Sequence, residues 1–307
     1  MSLKKKNADD QAAIPCPYCG GTSCLYVSTP DVNRKASNDI FNLNRCNACG
    51  LMFVVNPPAD LGLYYTDDYH FSPESAEELE PHLPGQQFKI DLVKNHISNG
   101  KLMEIGPSNG AFCYLAQKAG FDVSAIEMDP SCAKFLNEKL GVKTFNSADP
   151  AGIFRADEQQ YDAICMWHSL EHITEPWVLL ERAIERLNPG GIFVIACPNP
   201  QSSQVRLMGK HWVHFDLPRH LYQLPITWVL ELGRKFGLRP ELVTTRDEGS
   251  LYWSWFSWGM LLQSFAVQKR PRKKLFKAGI RLGKLLNFYE GREGVGAAYT
   301  IVLKRPA

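Results

Sequence analysis

Four of the nine cysteines in this 307-residue chain form two C-x2-C pairs, Cys16 with Cys19 and Cys46 with Cys49, separated by 26 residues. Two residues between thiolates allow one tight turn to direct both sulfurs at the same ion, and a glycine follows each pair. Two such turns supply a closed tetrahedral set that is typical of structural zinc. We therefore predict a zinc ribbon over residues 1–55. The alternatives are four unrelated thiols and a redox role for one pair. Cys24 receives no role.

Two acidic residues flank a glycine turn further along the chain. Glu104 precedes the segment "GPSNG", which contains Gly106, Ser108 and Gly110, and Glu127 ends the next predicted strand. The dinucleotide pattern G-x-G-x-x-G is absent from this turn, and the turn carries no basic residue for a pyrophosphate. A carboxylate after the second strand can accept both hydroxyls of a ribose, and Glu104 can hold an ammonium group. This favours a nucleoside cofactor that bears an amino acid.

Histidines gather in two short segments that could supply a general base. His168 and His172 lie in "HSLEH", and His211, His214 and His220 lie in "KHWVHFDLPRH". We predict His168 as the first candidate base and His214 as the second. A purely structural role is the alternative for each. "HSLEH" also has the H-x-x-E-H spacing of inverted zinc peptidases, but here it follows a strand and is not part of a helix.

Alternating strand and helix patterns indicate how these residues are positioned. They predict a parallel, doubly wound sheet, in which ligands bind at the carboxyl ends of the strands. The predicted helices are residues 86–97, 111–119, 132–140 and 176–187. The predicted strands are residues 101–105, 123–127, 143–146, 161–167, 191–197 and 297–304.

The segments "LMEIGPSNGAF", "AIEMDP", "YDAICMWHSLEHITEPW" and "DLPRHLYQLPITW" resemble class I S-adenosylmethionine-dependent methyltransferases. The nearest branch includes the ubiquinone-biosynthesis O-methyltransferases and the methyltransferases of sugar and polysaccharide pathways. Members with an N-terminal four-cysteine element are similar to residues 16–70 as well. The resemblance implies a seven-stranded, mostly parallel α/β sheet of Rossmann-like type whose last strand is antiparallel. It also implies S-adenosyl-L-methionine as cofactor and a methyltransferase domain over residues 86–307.

The resemblance also implies roles for residues around the cofactor. Glu104, Gly106, Ser108 and Gly110 would surround the methionine part, and Ser108 replaces the usual middle glycine. Glu127 would bind the ribose diol, Met128 would lie along the adenine and Asp149 would meet the adenine amino group. Trp167 and His168 would flank the methionine arm. In the ubiquinone relatives an E-x-x-E-H segment can hold a divalent ion, but His168 replaces its first acid here, so the sequence leaves open whether a catalytic metal is used.

Residues 56–85 form a predicted connector that contains Tyr64, Tyr65 and Tyr69, and residues 248–296 form a predicted insertion near the site. The insertion contains Trp253, Trp255 and Trp258, then the basic run "KRPRKK". Its leucines Leu275, Leu282, Leu285 and Leu286 lie near one helical face. One interpretation is a lid with an apolar underside. The other is a weak peripheral membrane contact through residues 251–290, which would suit a lipid-linked acceptor.

Composition narrows the class of partner. The formal net charge is only +2, so the overall electrostatic field gives no reason to expect nucleic acid as a partner. The odd number of cysteines suits a cytoplasmic protein better than a disulfide-linked one. We expect methyl transfer to a small-molecule or lipid-linked acceptor, with oxygen as the favoured atom. The alternatives are a ribbon-guided RNA or DNA methyltransferase, a nicotinamide oxidoreductase and a cofactor-binding protein without turnover. The sequence does not identify the acceptor or the oligomeric state.

Overall fold

The computed structural model describes residues 14–65, 73–266 and 269–307, and it contains two β-sheets with helices around the larger one. Tyr69 of the predicted connector and the first ribbon residues lie outside the described residues. The strands in chain order are β1 (Ser23–Pro30), β2 (Ile40–Cys46), β3 (Met52–Val55), β4 (Gly100–Ile105), β5 (Phe121–Glu127), β6 (Lys143–Asn146), β7 (Tyr161–Trp167), β8 (Leu187–Pro198), β9 (Tyr222–Gln223), β10 (Arg239–Thr244) and β11 (Ala298–Lys304).

The α-helices follow the strands in the alternating order that the sequence predicts. They are α1 (Gln87–Lys94), α2 (Ala111–Lys118), α3 (Pro130–Glu138), α4 (Pro150–Ala156), α5 (Pro176–Glu185), α6 (Ser203–Met208), α7 (Ile226–Lys235), α8 (Glu248–Ser264) and α9 (Lys269–Glu290). A 3-10 segment (Ala76–Gln86) leads directly into α1, which ends three residues before the predicted position at Ile97. Pro130, Pro150 and Pro176 lie in the first turns of their helices, where a missing N–H costs nothing.

The larger sheet has the order β10-β11-β8-β7-β4-β5-β6 within the described residues. β4 pairs in parallel with β5 and β7, and β11 runs antiparallel to both β8 and β10. The predicted fold class, a seven-stranded, mostly parallel sheet with an antiparallel last strand, is therefore confirmed. The carboxyl ends of β4, β5, β7 and β8 meet at one edge, which brings together the acids and histidines of the sequence motifs.

Apolar runs in the central strands explain why helices cover both faces of this sheet. Ala163, Ile164, Cys165 and Met166 of β7 are all 0 % exposed, as a strand buried on both sides requires. Residues of α5 and α7 pack on one face, and residues of α1 and α2 pack on the other. The site edge is therefore held between two packed layers.

The N-terminal ribbon shares a second sheet with the larger domain. This sheet has the order β1-β2-β3-β9, and β3 pairs with β9 through Met52 opposite Gln223 and Phe53 opposite Tyr222. Tyr18, inside the first cysteine pair, packs against Trp177 and Trp228, with ring centroids 5.5 and 5.1 Å apart. The ribbon is thus packed onto α5 and α7 and does not extend away from the domain.

A buried arginine provides a second attachment. The Arg219 guanidinium, which is 0 % exposed, donates to Asp31 of the ribbon at 2.7 and 3.0 Å and to Asp216 at 2.7 and 3.0 Å. Asp31 also accepts hydrogen bonds from the backbone N–H groups of Asn33, Arg34 and Ala36. Burial raises the pKa of Asp31, but the bonds from Arg219 and the backbone outweigh it and hold that pKa below its usual value. Two charge-assisted pairs therefore lock the ribbon to the segment after β8.

The predicted insertion is a pair of antiparallel helices, α8 and α9. Glycines allow their close approach: a Cβ on Gly283 would lie 2.8 Å from the Trp255 Cα, and one on Gly259 would lie 2.7 Å from the Phe276 ring. The fully buried residues of α8 are small, Ser250, Ser254, Ser257 and Gly259, and its Trp258 and Leu261 pack against the hydrophobic cluster that contains Trp212. Within the described residues, no helix combines the length and the apolar character that a membrane crossing requires.

Replacing Asp31 by alanine should lower the free energy of unfolding by about 3–5 kcal/mol, because it removes one partner of a buried, hydrogen-bonded ion pair. Urea unfolding followed by circular dichroism measures this. Asp39→Ala is the matched control, since Asp39 is exposed and accepts one bond from the Tyr64 hydroxyl at 3.1 Å. The control should cost about 1 kcal/mol. Equal losses in the two variants would contradict the role of the Arg219 pairs.

Candidate active site

The turn after β4 depends on residues with positive φ. Gly106, Ser108 and Gly110 have φ values of 75°, 51° and 78°. A Cβ on Gly106 would lie 2.8 Å from the Ser169 Cβ, and one on Gly110 would lie 2.6 Å from the Leu136 side chain. Only glycine fits at these two positions. Ser108 adopts the same left-handed conformation with a side chain, at a cost of roughly 1–2 kcal/mol.

Glu127 connects the turn after β4 to the turn after β5. Its carboxylate accepts the Ser108 N–H at 2.9 Å and the Asp129 N–H at 2.8 Å, and the residue is 3 % exposed. Each carboxylate oxygen can accept a further hydrogen bond, which is what a ribose diol would donate. The carboxylate that is predicted to bind the ribose is therefore held in place by the backbone of the turns after β4 and β5.

Glu104 lies at the end of β4 in a buried and polar environment. The Cys113 thiol donates to its Oε2 at 2.9 Å. Burial raises the pKa of Glu104 to about 7, although Lys89 and the Cys113 bond oppose the increase. Burial also lowers the pKa of Lys89 to about 8, with Glu104 opposing the decrease. An additional cation, such as a cofactor ammonium, would favour the ionised form of Glu104.

The other predicted cofactor residues follow the same sheet edge. Met128 is 51 % exposed directly after β5, and Asn146 at the end of β6 donates to the Glu127 and Met128 carbonyls at 2.9 and 3.0 Å. Asp149 accepts the Gly152 N–H at 2.9 Å as the N-cap of α4, so part of its hydrogen-bonding capacity is already used. Asn146 was missed by sequence reasoning, although its place at the end of a predicted strand could have indicated it.

Trp167 and His168 occupy the exit of β7. The buried Trp167 ring packs edge-on against Phe112 at 5.5 Å, and the Lys89 ammonium lies 5.0 Å from the ring centroid. His168 has a φ of 56°, and its backbone N–H donates to the Ala196 carbonyl at 2.9 Å. The His168 ring packs against Trp253 of α8 with centroids 5.2 Å apart. The positive φ at His168 thus marks the end of β7, from which its ring reaches α8.

The two predicted bases are in different environments. His168 Nδ1 lies 3.7 Å from Glu171 Oε1, and its side chain is 24 % exposed. His214 is buried, its Nε2 lies 2.8 Å from the Ser257 hydroxyl, and burial lowers its pKa to about 3. A base with so low a pKa and an occupied nitrogen would accept a proton poorly. Within the predicted pair, the geometry favours His168.

A cluster around Glu171 contains two further histidines. Glu171 is 1 % exposed, and its Oε1 has no hydrogen-bond partner among the described residues. His172 Nδ1 lies 3.0 Å from the Tyr65 hydroxyl and 3.1 Å from the Arg219 carbonyl, and burial lowers the pKa of this histidine to about 4. His220 Nδ1 lies 2.9 Å from the His214 carbonyl, while Nε2 lies 4.0 Å from Glu171 Oε1. One atom from each of Glu171, His172 and His220 lies within 4.8 Å of the others. This donor set fits a divalent ion, which the sequence analysis did not predict.

These residues line a cavity of about 460 Å³. Its walls come from the exit of β7, the segment after β8, α8 and the ribbon. The ribbon residues Asn33 and Arg34 were missed because nothing in their local sequence links them to the distant histidines. The lining residues are Asn33, Arg34, His168, Glu171, His172, Pro198, Val213, His214, Asp216, His220, Trp253, Phe256 and Met260. His211 is exposed and lies outside this list.

The four paired cysteines form a separate group in the ribbon. Sγ–Sγ distances are 3.8 Å for Cys16 and Cys49, 3.4 Å for Cys19 and Cys46, and 3.6 Å for Cys19 and Cys49. A tetrahedral zinc with Zn–S bonds of about 2.3 Å holds its sulfurs about 3.8 Å apart. The four sulfurs therefore fit a closed metal site and could bind zinc. Cys24 is exposed and outside the group.

Comparison with known families agrees with this geometry. A family described as "Methyltransferase domain" matches residues 85–242, half of the chain. The chain belongs to this methyltransferase family. Its fold and motifs are those of the class I S-adenosylmethionine-dependent methyltransferases, as the sequence resemblance implied. This assignment favours a methyl donor over the nicotinamide cofactor that was the alternative.

The methyltransferase resembles curated proteins at low identity. It is 26 % identical over 164 residues to a ubiquinone biosynthesis O-methyltransferase of Cereibacter sphaeroides, and the match covers 50 % of this chain and 66 % of that protein. It is 24 % identical over 171 residues to one from Bradyrhizobium sp., covering 52 % of this chain and 64 % of that protein. The match thus spans less than two thirds of the length of these relatives.

Solved structures support the fold of the methyltransferase. A SAM dependent methyltransferase from Archaeoglobus fulgidus aligns with a TM-score of 0.50 and 15 % identity, covering 74 % of this chain and 94 % of that one. The cyclopropane synthase MmaA2 from Mycobacterium tuberculosis aligns with a TM-score of 0.50 and 17 % identity, covering 72 % and 84 %. At these identities the likeness extends to the fold alone.

The affinity for S-adenosylhomocysteine should fall as the pH drops from 8 to 6. In the predicted site a cofactor ammonium would pair with ionised Glu104, whose pKa is about 7, so protonation of Glu104 would compete with binding below that pH. Well below the pKa of Glu104, the affinity should fall about tenfold for each pH unit. Isothermal titration calorimetry at each pH measures the dissociation constant. Glu104→Gln should remove this pH dependence, whereas Glu127→Gln should weaken binding and retain it. Equal affinity at pH 6 and 8 in the native protein would contradict the role of Glu104.

Proposed function

We propose that this methyltransferase transfers the methyl group of S-adenosylmethionine to a hydroxyl oxygen of a small-molecule or lipid-linked acceptor bound in the histidine-lined cavity. One observation carries the proposal: His168 lines the cavity and directly follows Trp167, which is predicted to flank the methionine part of the cofactor. An acceptor in the cavity would therefore lie beside the methyl group of a bound cofactor.

Methyl transfer makes modest demands on the protein. The sulfonium already activates the methyl carbon, so the protein must align the acceptor oxygen, the carbon and the sulfur and exclude water. A hydroxyl acceptor must also lose its proton, which calls for a general base. His168 is our candidate for that base because its ring lines the cavity and lies 3.7 Å from the buried carboxylate of Glu171. A carboxylate at that distance stabilises the imidazolium that forms.

The cavity lining suggests the chemical class of the acceptor. It combines imidazole, carboxylate and amide groups with the aromatic side chains of Trp253 and Phe256. Polar groups of this kind bind ring hydroxyls, and aromatic faces and edges pack against a sugar or a phenolic ring. Sugar, polysaccharide and quinone-type precursors fit this description. The curated relatives, which are ubiquinone biosynthesis O-methyltransferases by name, support the quinone-type class.

We further propose that the four-cysteine site holds one structural zinc ion. The short distances between the sulfurs support this, and so does the small size of the ribbon, which buries few apolar residues of its own. The ion would fix the two turns that carry Tyr18 and Ala48. Asn33 and Arg34 belong to the same ribbon, directly after β1, and line the cavity. Zinc would therefore also stabilise this part of the cavity wall.

The outer face of α9 supports contact with an anionic membrane. Leu285 and Phe288 are 73 % and 75 % exposed, and exposed Lys277 and Arg281 precede them on the same helix. Arg281, Leu285 and Phe288 are spaced four and three residues apart and therefore share one face. An exposed apolar pair with adjacent cations suits the surface of an anionic bilayer and a lipid-linked acceptor.

The double substitution Leu285→Ser and Phe288→Ser should reduce sedimentation with phosphatidylglycerol vesicles at low salt at least fivefold, because it removes the exposed apolar pair. Leu63→Ser is the matched control, since Leu63 is 74 % exposed on another part of the surface. The control should bind as the native protein does. No sedimentation of the native protein at low salt would remove the membrane contact from the proposal and leave the methyl transfer intact.

His168→Ala should lower kcat roughly 100-fold or more while the dissociation constant for S-adenosylhomocysteine changes little, because the loss falls on proton removal from the acceptor. The assay uses labelled cofactor with sugar nucleotides, quinone precursors and lipid-linked glycans, scored by mass gain. The exposed His211→Ala is the control and should retain native turnover. A kcat within threefold of the native value in His168→Ala would exclude His168 as the base. The absence of any methylated product in the panel would count against the proposed acceptor classes.

A further inference from the structure

The thiol of Cys113 is buried against the acid at the end of β4. Cys113 lies in the first turn of α2, directly after the glycine turn, and is 0 % exposed. Its thiol donates to Glu104 Oε2 at 2.9 Å, and Glu104 is 3 % exposed. Within the part of the chain that the structure describes, no other side chain donates a hydrogen bond to this carboxylate. The orientation of the carboxylate therefore depends on this one thiol.

Burial keeps Cys113 in the form that donates. Removal from water raises the pKa of this thiol well above its usual value, and the negative charge of Glu104 adds to the increase. A thiol carries a hydrogen to donate, whereas a thiolate carries none. Cys113 therefore remains a donor over the whole pH range in which Glu104 titrates. For the same reason it is a poor nucleophile.

The other charged and titratable groups around Glu104 come from several elements. Burial raises the pKa of Glu104 to about 7, the charge of Lys89 in α1 opposes the increase, and Glu127 of β5 adds to it. Asp247, directly before α8, acts on Lys89 in turn. Cys165 of β7 is the register partner of Glu104 across the sheet, and the charge of Glu104 raises the pKa of that thiol too. The thiol in α2 differs from all of these groups because it donates a hydrogen bond to the carboxylate.

We propose that Cys113 is a positioning residue of the cofactor site, and that its thiol orients the Glu104 carboxylate toward the ammonium group of a bound S-adenosylmethionine. The inference rests on the proposed methyltransferase function and on Glu104 as the predicted partner of that ammonium. A donor at one carboxylate oxygen stabilises the negative charge and leaves the second oxygen for the cation. Because α2 begins at the glycine turn, the bond also connects Glu104 to the backbone that would surround the methionine part.

Cys113→Ala should move the pH dependence of S-adenosylhomocysteine binding upward by about one pH unit, because the ionised carboxylate loses a hydrogen bond that favours it. The native midpoint follows the pKa of Glu104, which is about 7. At pH 7 the variant should therefore bind about fivefold more weakly than the native protein. The difference should disappear toward pH 9, where Glu104 is ionised in both proteins. Isothermal titration calorimetry at each pH measures the dissociation constants.

Two further variants separate the hydrogen bond from the packing. Cys113→Ser keeps a donor and should retain the native midpoint. Cys165→Ala removes another thiol that is 0 % exposed, from the residue that pairs with Glu104, and should also titrate as the native protein does. If Cys113→Ala loses its circular dichroism spectrum, Cys113→Val replaces it, because valine removes the donor and fills the space. Equal midpoint shifts in the Cys113→Ala and Cys165→Ala variants would overturn the proposal.

Infrared spectroscopy tests the bond without any cofactor. The difference between the native spectrum and that of Cys113→Ala isolates the S–H stretching band of Cys113. Glu104→Gln should move this band to higher frequency, because a neutral amide accepts a weaker hydrogen bond than a carboxylate does. A band at the same frequency in both backgrounds would overturn the bond to the carboxylate.

The two measurements also distinguish this inference from the proposed function. A native midpoint in Cys113→Ala, with S-adenosylhomocysteine still bound, would overturn the positioning role and leave methyl transfer intact. No binding of S-adenosylhomocysteine to the native protein at any pH would overturn the proposed cofactor, and the role of Cys113 with it.

Discussion

The buried ion pairs of Arg219 hold the two halves of the candidate acceptor site together. One carboxylate, Asp31, belongs to the ribbon, and the other, Asp216, belongs to the segment after β8. A guanidinium removed from water is tolerated only with such complete pairing, so the two segments cannot separate without exposing or isolating a charge. This contact joins the cavity walls on both sides, together with the pairing of β3 with β9 and the packing of Tyr18. The ribbon therefore contributes to the walls of the candidate site.

The candidate cofactor site depends on a different constraint, which acts between neighbouring turns of the same sheet edge. Glu127 accepts backbone hydrogen bonds from the turns after β4 and β5, and positive φ values at Gly106 and Gly110 shape the first turn. If Glu127 also binds the ribose, as the sequence analysis predicts, cofactor recognition is coupled to the backbone of the turn. The candidate cofactor site and the acceptor cavity meet at the end of β7. There Trp167 packs against Phe112, and His168 contacts Trp253 of α8.

Sequence reasoning placed the candidate cofactor residues at one edge of the sheet because parallel strands align their carboxyl ends. Once the strands ending at Glu104, Glu127 and Trp167 were recognised, their common edge followed from topology. Asp149 shows the limit of that reasoning: a strand-end position does not reveal that the carboxylate caps α4. The contributions of Asn33, Arg34 and Tyr65 could not be predicted either, because they depend on how the ribbon packs against residues more than a hundred positions away. The convergence of His172 and His220 on Glu171 depends on how the segment after β8 packs against the exit of β7, and the local sequence does not encode that packing.

The pairing of β3 with β9 has a consequence for how the chain acquires its structure. Met52 and Phe53 complete their sheet only with Gln223 and Tyr222, so about 170 residues separate the partners. Contacts this distant along the chain form late, because a large loop must close first. During synthesis the N-terminal element leaves the ribosome long before β9 exists, and its open strand edge must wait for most of the polypeptide. A chain shortened before β9 would keep the pairing of β3 with β2 but leave the other edge of β3 open to association with other molecules.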